Sequence, residues 1–431
     1  MGWAFGLAAG WRSRLWPGDE PAPALERSNI RMLTLDTAIQ GIIQAGIGTF
    51  LAVFLVRLEA PSALIGLVAA LPSLGAVLIS LPASRWVAAW TDPVRVVVVT
   101  RAFIRLTYLA IAAVPFVLGG TPASYVIVLL WGLHSLPAAV TGLAWTGVIA
   151  EIIPPARRPM VNGVRWALLS IVTAVSGALF GVLLDHAGFP VNYQLVFLIS
   201  FLAGLVTLWT FSRLRLPTPG APLPPTRVSL GLLNLPRVIR GERAFARFMV
   251  AGFVYRLGLH LPVAVFPIFW VTALDASDTL IGLRTTAGHG ALTVSYVLWG
   301  ALAVRHGHRL VLLAASAGLS LYPILTAAVF DAVWLVPLAL LWGLFASGID
   351  VAFFEALLRT TPADRRAIFV AIDSTFANLA VFVAPLAGAL LADLIGLRPA
   401  LVLAGCLSLA GTVLMVLLAV AAPALTGSQR G

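Results

Sequence analysis

The sequence predicts an all-α membrane protein, with twelve transmembrane helices in two pseudo-symmetric six-helix bundles. Three observations carry that expectation. The chain of 431 residues is 60% hydrophobic and only 10% charged, with a mean hydropathy of +0.99. A soluble domain carries roughly 25% charged residues, so this chain has too little polar surface to cover a water-soluble body. The same apolar content excludes a disordered chain. Apolar runs of the ~20 residues that a bilayer crossing needs recur along its length, and the two halves repeat one another.

Taken in order, the apolar runs place spans at 32–56, 63–83, 96–118, 123–147, 163–184 and 192–212. A second set falls at 245–271, 280–303, 309–330, 333–357, 367–391 and 398–421. Residues 1–31 form an N-terminal segment whose Trp3, Phe5, Leu7, Trp11, Leu15 and Trp16 suit a membrane interface or an unstructured tail equally. Arg12 and Arg14 follow its apolar stretch, the reverse of a cleaved signal peptide. The interval 213–244, with six prolines and six arginines, reads as a linker with a short amphipathic helix near 229–240. Residues 422–431 form a terminal tail.

All 28 basic residues apart from histidine are arginine, and the net charge is +11. Their positions between apolar runs report membrane orientation and speak against nucleic acid as a partner. One set of connections carries Arg85, Arg95, Arg157, Arg158, the central linker, Arg305, Arg309, Arg359, Arg365 and Arg366. The alternate set carries only Arg57, Arg284 and Arg398. Short arginine-rich loops stay in the cytoplasm, so both termini, the linker and the tail are expected inside a cell (inner) membrane.

The internal repeat is visible in Ala60-Pro-Ser-Ala-Leu-Ile-Gly-Leu67, which opens span two, and Ala276-Ser-Asp-Thr-Leu-Ile-Gly-Leu283, which opens span eight. In that register Gln40 falls on Arg256 and Gln44 on His260. Further along, Pro154–Arg158 matches Pro362–Arg366, Asp185 matches Asp393, and Arg165 falls on Asp373. Parallel six-helix repeats related by an axis along the membrane normal create a central site between halves that can rock.

Gly300-Ala-Leu-Ala-Val-Arg-His-Gly-His-Arg309 is similar to the Gly-x-Leu-Ala-Asp-Arg-x-Gly-Arg-Arg loop of the major facilitator superfamily (MFS). It departs at Val304, where the family has an acid, and at His308. The stretch Pro82–Arg95 keeps only the basic character of the matching loop, and Gly388-Ala-Leu-Leu-Ala-Asp-Leu-Ile-Gly-Leu-Arg398 is a third echo. With the repeat, the chain resembles that superfamily across nearly its whole length. The resemblance implies rocker-switch alternating access, with spans one, four, seven and ten lining a central cavity. No subfamily signature is present.

A charge at the bilayer centre costs ~2.5–3.5 kcal/mol on insertion scales, so such residues face the bundle interior or a wet cavity. Asp36, Gln40 and Gln44 share one face of span one, and Arg256 and His260 one face of span seven. Gln40, Gln44, Arg256 and His260 are candidates for the substrate path, with His134 and Trp131 on span four beside them; the alternative role is a hydrogen-bonded plug. Asp36 and Asp350 are the proton-coupling candidates, because a carboxyl inside a membrane site can load and release a proton; the alternative is a permanent pair with an arginine. Glu151 and Glu355 are expected in such pairs at the rim. Asp373 with Arg85, and Arg165 with Arg305, are expected as a cytoplasmic gate, while Arg101 and Arg105 suit a lipid phosphate or a nearby acid. Pro262 and Pro267 should kink span seven beyond Arg256.

The sequence therefore points to a secondary transporter of a small organic solute, acting as a monomer in the lipid bilayer with protons as coupling ion. Export of an amphipathic compound is favoured over uptake of a sugar, amino acid or organic anion. A non-transporting membrane sensor or assembly factor with the same fold is the alternative from another class. No enzyme is expected: no nucleophile–base constellation appears, and a lysine-free chain cannot hold a Walker-type phosphate loop. No cofactor or metal is expected either. His306 and His308 sit in a short basic loop, and the single Cys406 excludes an intramolecular disulfide.

Overall fold

The computed structural model describes residues 23–89, 92–217, 241–362, 365–418 and 420, without the side chains of 80–89 and 367. The interfacial segment 2–16, the amphipathic stretch 229–240 and the tail 422–431 lie outside the described residues.

Every regular element among the described residues is helical, and twelve helices are long and apolar enough to cross a membrane. They are α1 (Ala24–Arg57), α2 (Ser62–Ala89), α3 (Pro93–Phe116), α4 (Gly120–Ile152), α5 (Arg158–His186) and α6 (Val191–Ser212). Then come α7 (Arg243–Ala273), α8 (Asp278–His306), α9 (His308–Ala327), α10 (Ala332–Thr360), α11 (Arg366–Ile395) and α12 (Leu397–Leu417). Large apolar side chains such as Leu202, Leu205, Val206 and Trp209 stand exposed along them. A bilayer turns that exposure from a cost into the solvated state, while backbone groups are satisfied within each helix.

Helix α1 starts at Ala24 rather than near 32, because its polar first turns are tied down by neighbours. Arg157 donates to Glu26 at 2.7 Å, and Asn29 exchanges hydrogen bonds with the backbone of Arg215 at 2.7 and 3.0 Å. Asp92 caps α3 by accepting from the Arg95 backbone N–H at 3.1 Å, with Pro93 set for the first turn. Gly307 turns the chain between α8 and α9 at φ 86°, a left-handed conformation open to glycine. That is the physical reason for the glycine in the Gly300–Arg309 loop.

Two helices lose regularity at matching places. In α1 a π-helical turn occupies Gln44–Gly48, and in α7 the ladder breaks at Leu261 and restarts at Pro262, with a π turn at Phe269–Ala273. In the register of the internal repeat Gln44 falls on His260, so both halves are irregular at the same level of their first helix. Such turns widen a helix and present side chains and carbonyls that a straight helix would hide.

By contacts the chain forms two compact units. The first comprises Met1–Ala60, Leu74–Thr226 and Ser277–Thr286; the second comprises Pro61–Ser73, Arg227–Ala276 and Ala287–Gly431. Within the first, α1 packs on α5 and α6, and α3 on α4 and α6. Within the second, α7 packs on α11 and α12, and α9 on α10 and α12. The pairing scheme is the same, six helices later. The first unit has a core of Leu33, Val97, Val148, Ile152 and Phe211, and the second a more aromatic one around Phe245, Phe248, Tyr255, Phe353 and Phe369.

Candidate functional site

Buried charge in the first unit is organised as a ladder. Asp36, 2% exposed, accepts from Arg101 Nη1 of α3 at 2.8 Å, and the Thr210 hydroxyl of α6 donates to the same oxygen at 3.3 Å. One turn along, Arg105 Nη2 donates to Gln40 Oε1 and to Thr207 Oγ1, both at 3.1 Å. Asp36 and Gln40 are i, i+4 on α1, as are Arg101 and Arg105 on α3, so the two rungs stack with the helical period. Arg101 also lies 4.6 Å over the Phe211 ring, and Arg105 5.3 Å over Tyr108. Arg101 and Arg105 thus face protein rather than lipid.

Arg165 of α5 is buried in the same unit. It donates through Nε to Thr37 and through Nη1 to Asn162, both at 2.9 Å, and sits 5.0 Å over Trp145. These partners are neutral, and none is Arg305, which is exposed at the end of α8. Gln44 is exposed on the π turn. On α4, His134 stacks on Trp131 with ring centroids 4.4 Å apart and planes 9° from parallel, and its Nε2 lies 3.5 Å from the Tyr108 hydroxyl.

In the second unit Arg256 and Asp373 form a two-pronged pair, Nη1 to Oδ1 at 2.7 Å and Nη2 to Oδ2 at 2.9 Å. The guanidinium lies 4.4 Å over Phe353. The sequence assigns these two residues separate roles; the structure joins them. Both Asp373 oxygens are occupied by Arg256, and the side chain of Arg85, its expected gate partner, lies outside the described residues. His260 is half-buried one turn beyond Arg256.

Asp350 of α10 differs. The Tyr296 hydroxyl of α8 donates to its Oδ2 at 2.6 Å. Among the described residues no arginine lies within ion-pair distance of it, whereas Asp36, Asp278 and Asp373 each hold one. Glu355 pairs with Arg359 one turn along α10 at 2.8 Å.

A further cluster belongs to the first unit. Asp278, at the start of α8, accepts from Arg57 Nη2 at 3.0 Å and from the Tyr193 hydroxyl at 2.7 Å. Asp185 at the end of α5 accepts from the backbone N–H groups of Asp278 and Thr279 at 2.9 and 2.8 Å, capping α8. Below it Gly282 lies directly against Gly177 and Gly181, leaving no room for a Cβ, and Thr286 donates to the Ala174 carbonyl at 2.5 Å. In the second unit Asp393 of α11 accepts from the Ser62 hydroxyl of α2 at 2.7 Å. The two acids that match in the sequence repeat therefore each hold the start of a helix.

Comparison with known proteins finds a family match in the second half of the chain. The Major Facilitator Superfamily model matches residues 248–431. That part of the chain is similar to the superfamily. The fold agrees: the nucleoside transporter NupG superposes with a TM-score of 0.66 at 14% identity, over 92% of this chain and 99% of that one. A bacterial homologue of the iron transporter ferroportin, solved in an inward-facing state, gives 0.68 at 14% identity over 93% and 99%. A POT family transporter in complex with a thioalcohol-conjugated peptide gives 0.71 at 12% identity over 90% and 96%. No curated protein matches in sequence. The chain thus carries twelve helices fit to cross a membrane, in a fold that it shares with these transporters.

The sequence singles out Asp36, Gln40, Arg256 and Asp373, and each has a specific partner. It does not single out Tyr193, Asp278, Thr207 or Thr210. The signal for Asp278 is its place in the repeated octapeptide, where it stands opposite Ser62. No sequence signal marks the threonines, which are common in membrane helices.

Proposed function

We propose that this chain is a secondary active transporter of a small organic solute, working by alternating access and driven by protons through Asp350. One observation carries the coupling: Asp350 is a carboxylate within a bilayer-crossing helix, held by a tyrosine hydroxyl and, among the described residues, by no guanidinium. A carboxyl of that kind gains or loses a proton without breaking an ion pair, and its Tyr296 partner can serve either form. Asp36 has no such freedom, because releasing Arg101 would leave a buried charge uncompensated.

An amphipathic, aromatic solute fits the remaining groups, and export is the direction proposed for it. Gln40 and Arg256 are committed to intramolecular partners, so recognition falls to the exposed Gln44 and to the aromatic surroundings of Trp131. The Arg57–Tyr193–Asp278–Asp185 cluster and the Ser62–Asp393 bond act as latches that release when their face of the membrane opens.

Purified protein in liposomes, offered aromatic amphiphiles, sugars, amino acids and organic anions in turn, tests the assignment. Flux of amphiphiles that responds to a pH gradient is expected. Flux confined to one of the other classes would reassign the substrate, and no flux for any class would favour a non-transporting sensor or assembly factor.

A further inference from the structure

We infer that the first unit carries a binding site for an anionic phospholipid, between the start of α1 and the end of α6. An open groove of about 560 Å³ lies there, with Ser28, Asn29, Met32, Trp209, Arg213 and Arg215 among its walls. The two-way hydrogen bonding of Asn29 with the Arg215 backbone fixes the chain leaving α6 against α1 and so defines the floor.

Charge sets the sign of the ligand. Arg213 and Arg215 in the groove, with Arg27 and Arg31 on the same turns of α1, are exposed, and among the described residues none has a carboxylate within ion-pair distance. Glu26, the acid closest in sequence, is already held by Arg157. Basic pockets at the ends of membrane helices take phosphate-bearing headgroups.

Shape distinguishes a lipid from a free anion. Trp209, 50% exposed, lies under the Arg213 guanidinium at 5.4 Å and marks the headgroup level, where tryptophan concentrates. From it the exposed Leu202, Leu205 and Val206 continue along one face of α6. Their spacing from Trp209 makes a single helical stripe, apolar and at least two turns long, a track for an acyl chain. The phosphate sits at the arginines and the chain runs down the stripe.

Native mass spectrometry of the full, delipidated chain tests this with phosphatidylglycerol, phosphatidylcholine and inorganic phosphate as probes. Phosphatidylglycerol should be retained over phosphatidylcholine, and inorganic phosphate should not displace it. Each arginine near an anionic headgroup is worth roughly fivefold in affinity, so Arg213→Gln with Arg215→Gln should weaken retention by about 25-fold, while Arg213→Lys with Arg215→Lys keeps most of it. Leu205→Asn, which leaves all charge in place, should shorten retention as well. Equal retention of the two lipids, or of phosphatidylglycerol by the wild type and the glutamine variant, overturns the inference. Displacement by inorganic phosphate at millimolar concentration makes the site one for free anions and also overturns it.

Discussion

Arg256 of α7 and Asp373 of α11 meet through two parallel hydrogen bonds of 2.7 and 2.9 Å, and the guanidinium rests on the face of Phe353. Planar two-pronged geometry is what distinguishes an arginine from a lysine at such a place. The pair joins two helices of one unit in a region that lipid surrounds, so neither partner can be removed without leaving a charge behind.

Replacing Asp373 by asparagine should therefore destabilise the chain by about 3–5 kcal/mol. The thermal midpoint of the detergent-solubilised protein should fall by roughly 3–6 °C. Arg256→Met combined with Asp373→Leu should recover most of the loss, because an apolar pair has no charge to strand. A single variant as stable as the wild type would show the pair to be incidental.

The latch at Asp278 predicts a change in access rather than in folding. In a Cys406→Ser background, Gln44→Cys reports labelling by a membrane-impermeant thiol reagent. Adding Asp278→Asn or Arg57→Gln should speed labelling from the Arg57 side by about fivefold or more, the range expected for a switch biased by 1–3 kcal/mol. Unchanged labelling from both sides would remove the latch.

Gly282→Leu tests the same face by packing. A leucine there cannot fit against Gly177 and Gly181, so α5 and α8 must part. Labelling of Gln44→Cys should rise as in the Asp278→Asn variant, while Gly282→Ala should give a smaller effect. Identical labelling for leucine and glycine would mean that the contact does not hold this face shut.

Trp131→Ala should raise the half-saturating concentration of an aromatic amphiphile by roughly two- to tenfold, since stacking on an aromatic face is worth about 0.5–1.5 kcal/mol. Maximal flux should change little. An unaltered half-saturation would take Trp131 out of the solute path and return it to packing.

Much of the fold is legible in the sequence, because a bilayer forces each crossing to be long, apolar and helical. The repeated octapeptides at Ala60 and Ala276 give the two-fold organisation, and the helix pairing repeats in each unit as that register requires. The start of α1 is not legible: Glu26 and Asn29 look like exposed loop until Arg157 and the Arg215 backbone stand beside them.

The polar residues are legible as a set and not as partners. A charge in a membrane helix is conspicuous in one dimension, yet whether it lines a cavity or closes an ion pair depends on helices far away in sequence. Asp36 and Asp350 look alike in the chain; only the fold places Arg101 beside one and Tyr296 beside the other. Arg256 and Asp373 read as separate devices for the same reason.

Proton-driven flux is the most direct test of the coupling through Asp350. Purified chain in sealed liposomes is loaded with a fluorescent aromatic amphiphile, and a pH step is applied across the membrane. The wild type should drive the amphiphile against its own gradient, and Asp350→Asn should exchange it at a similar rate while failing to concentrate it. Uphill movement by Asp350→Asn equal to that of the wild type, or wild-type flux indifferent to the pH step, would contradict the mechanism.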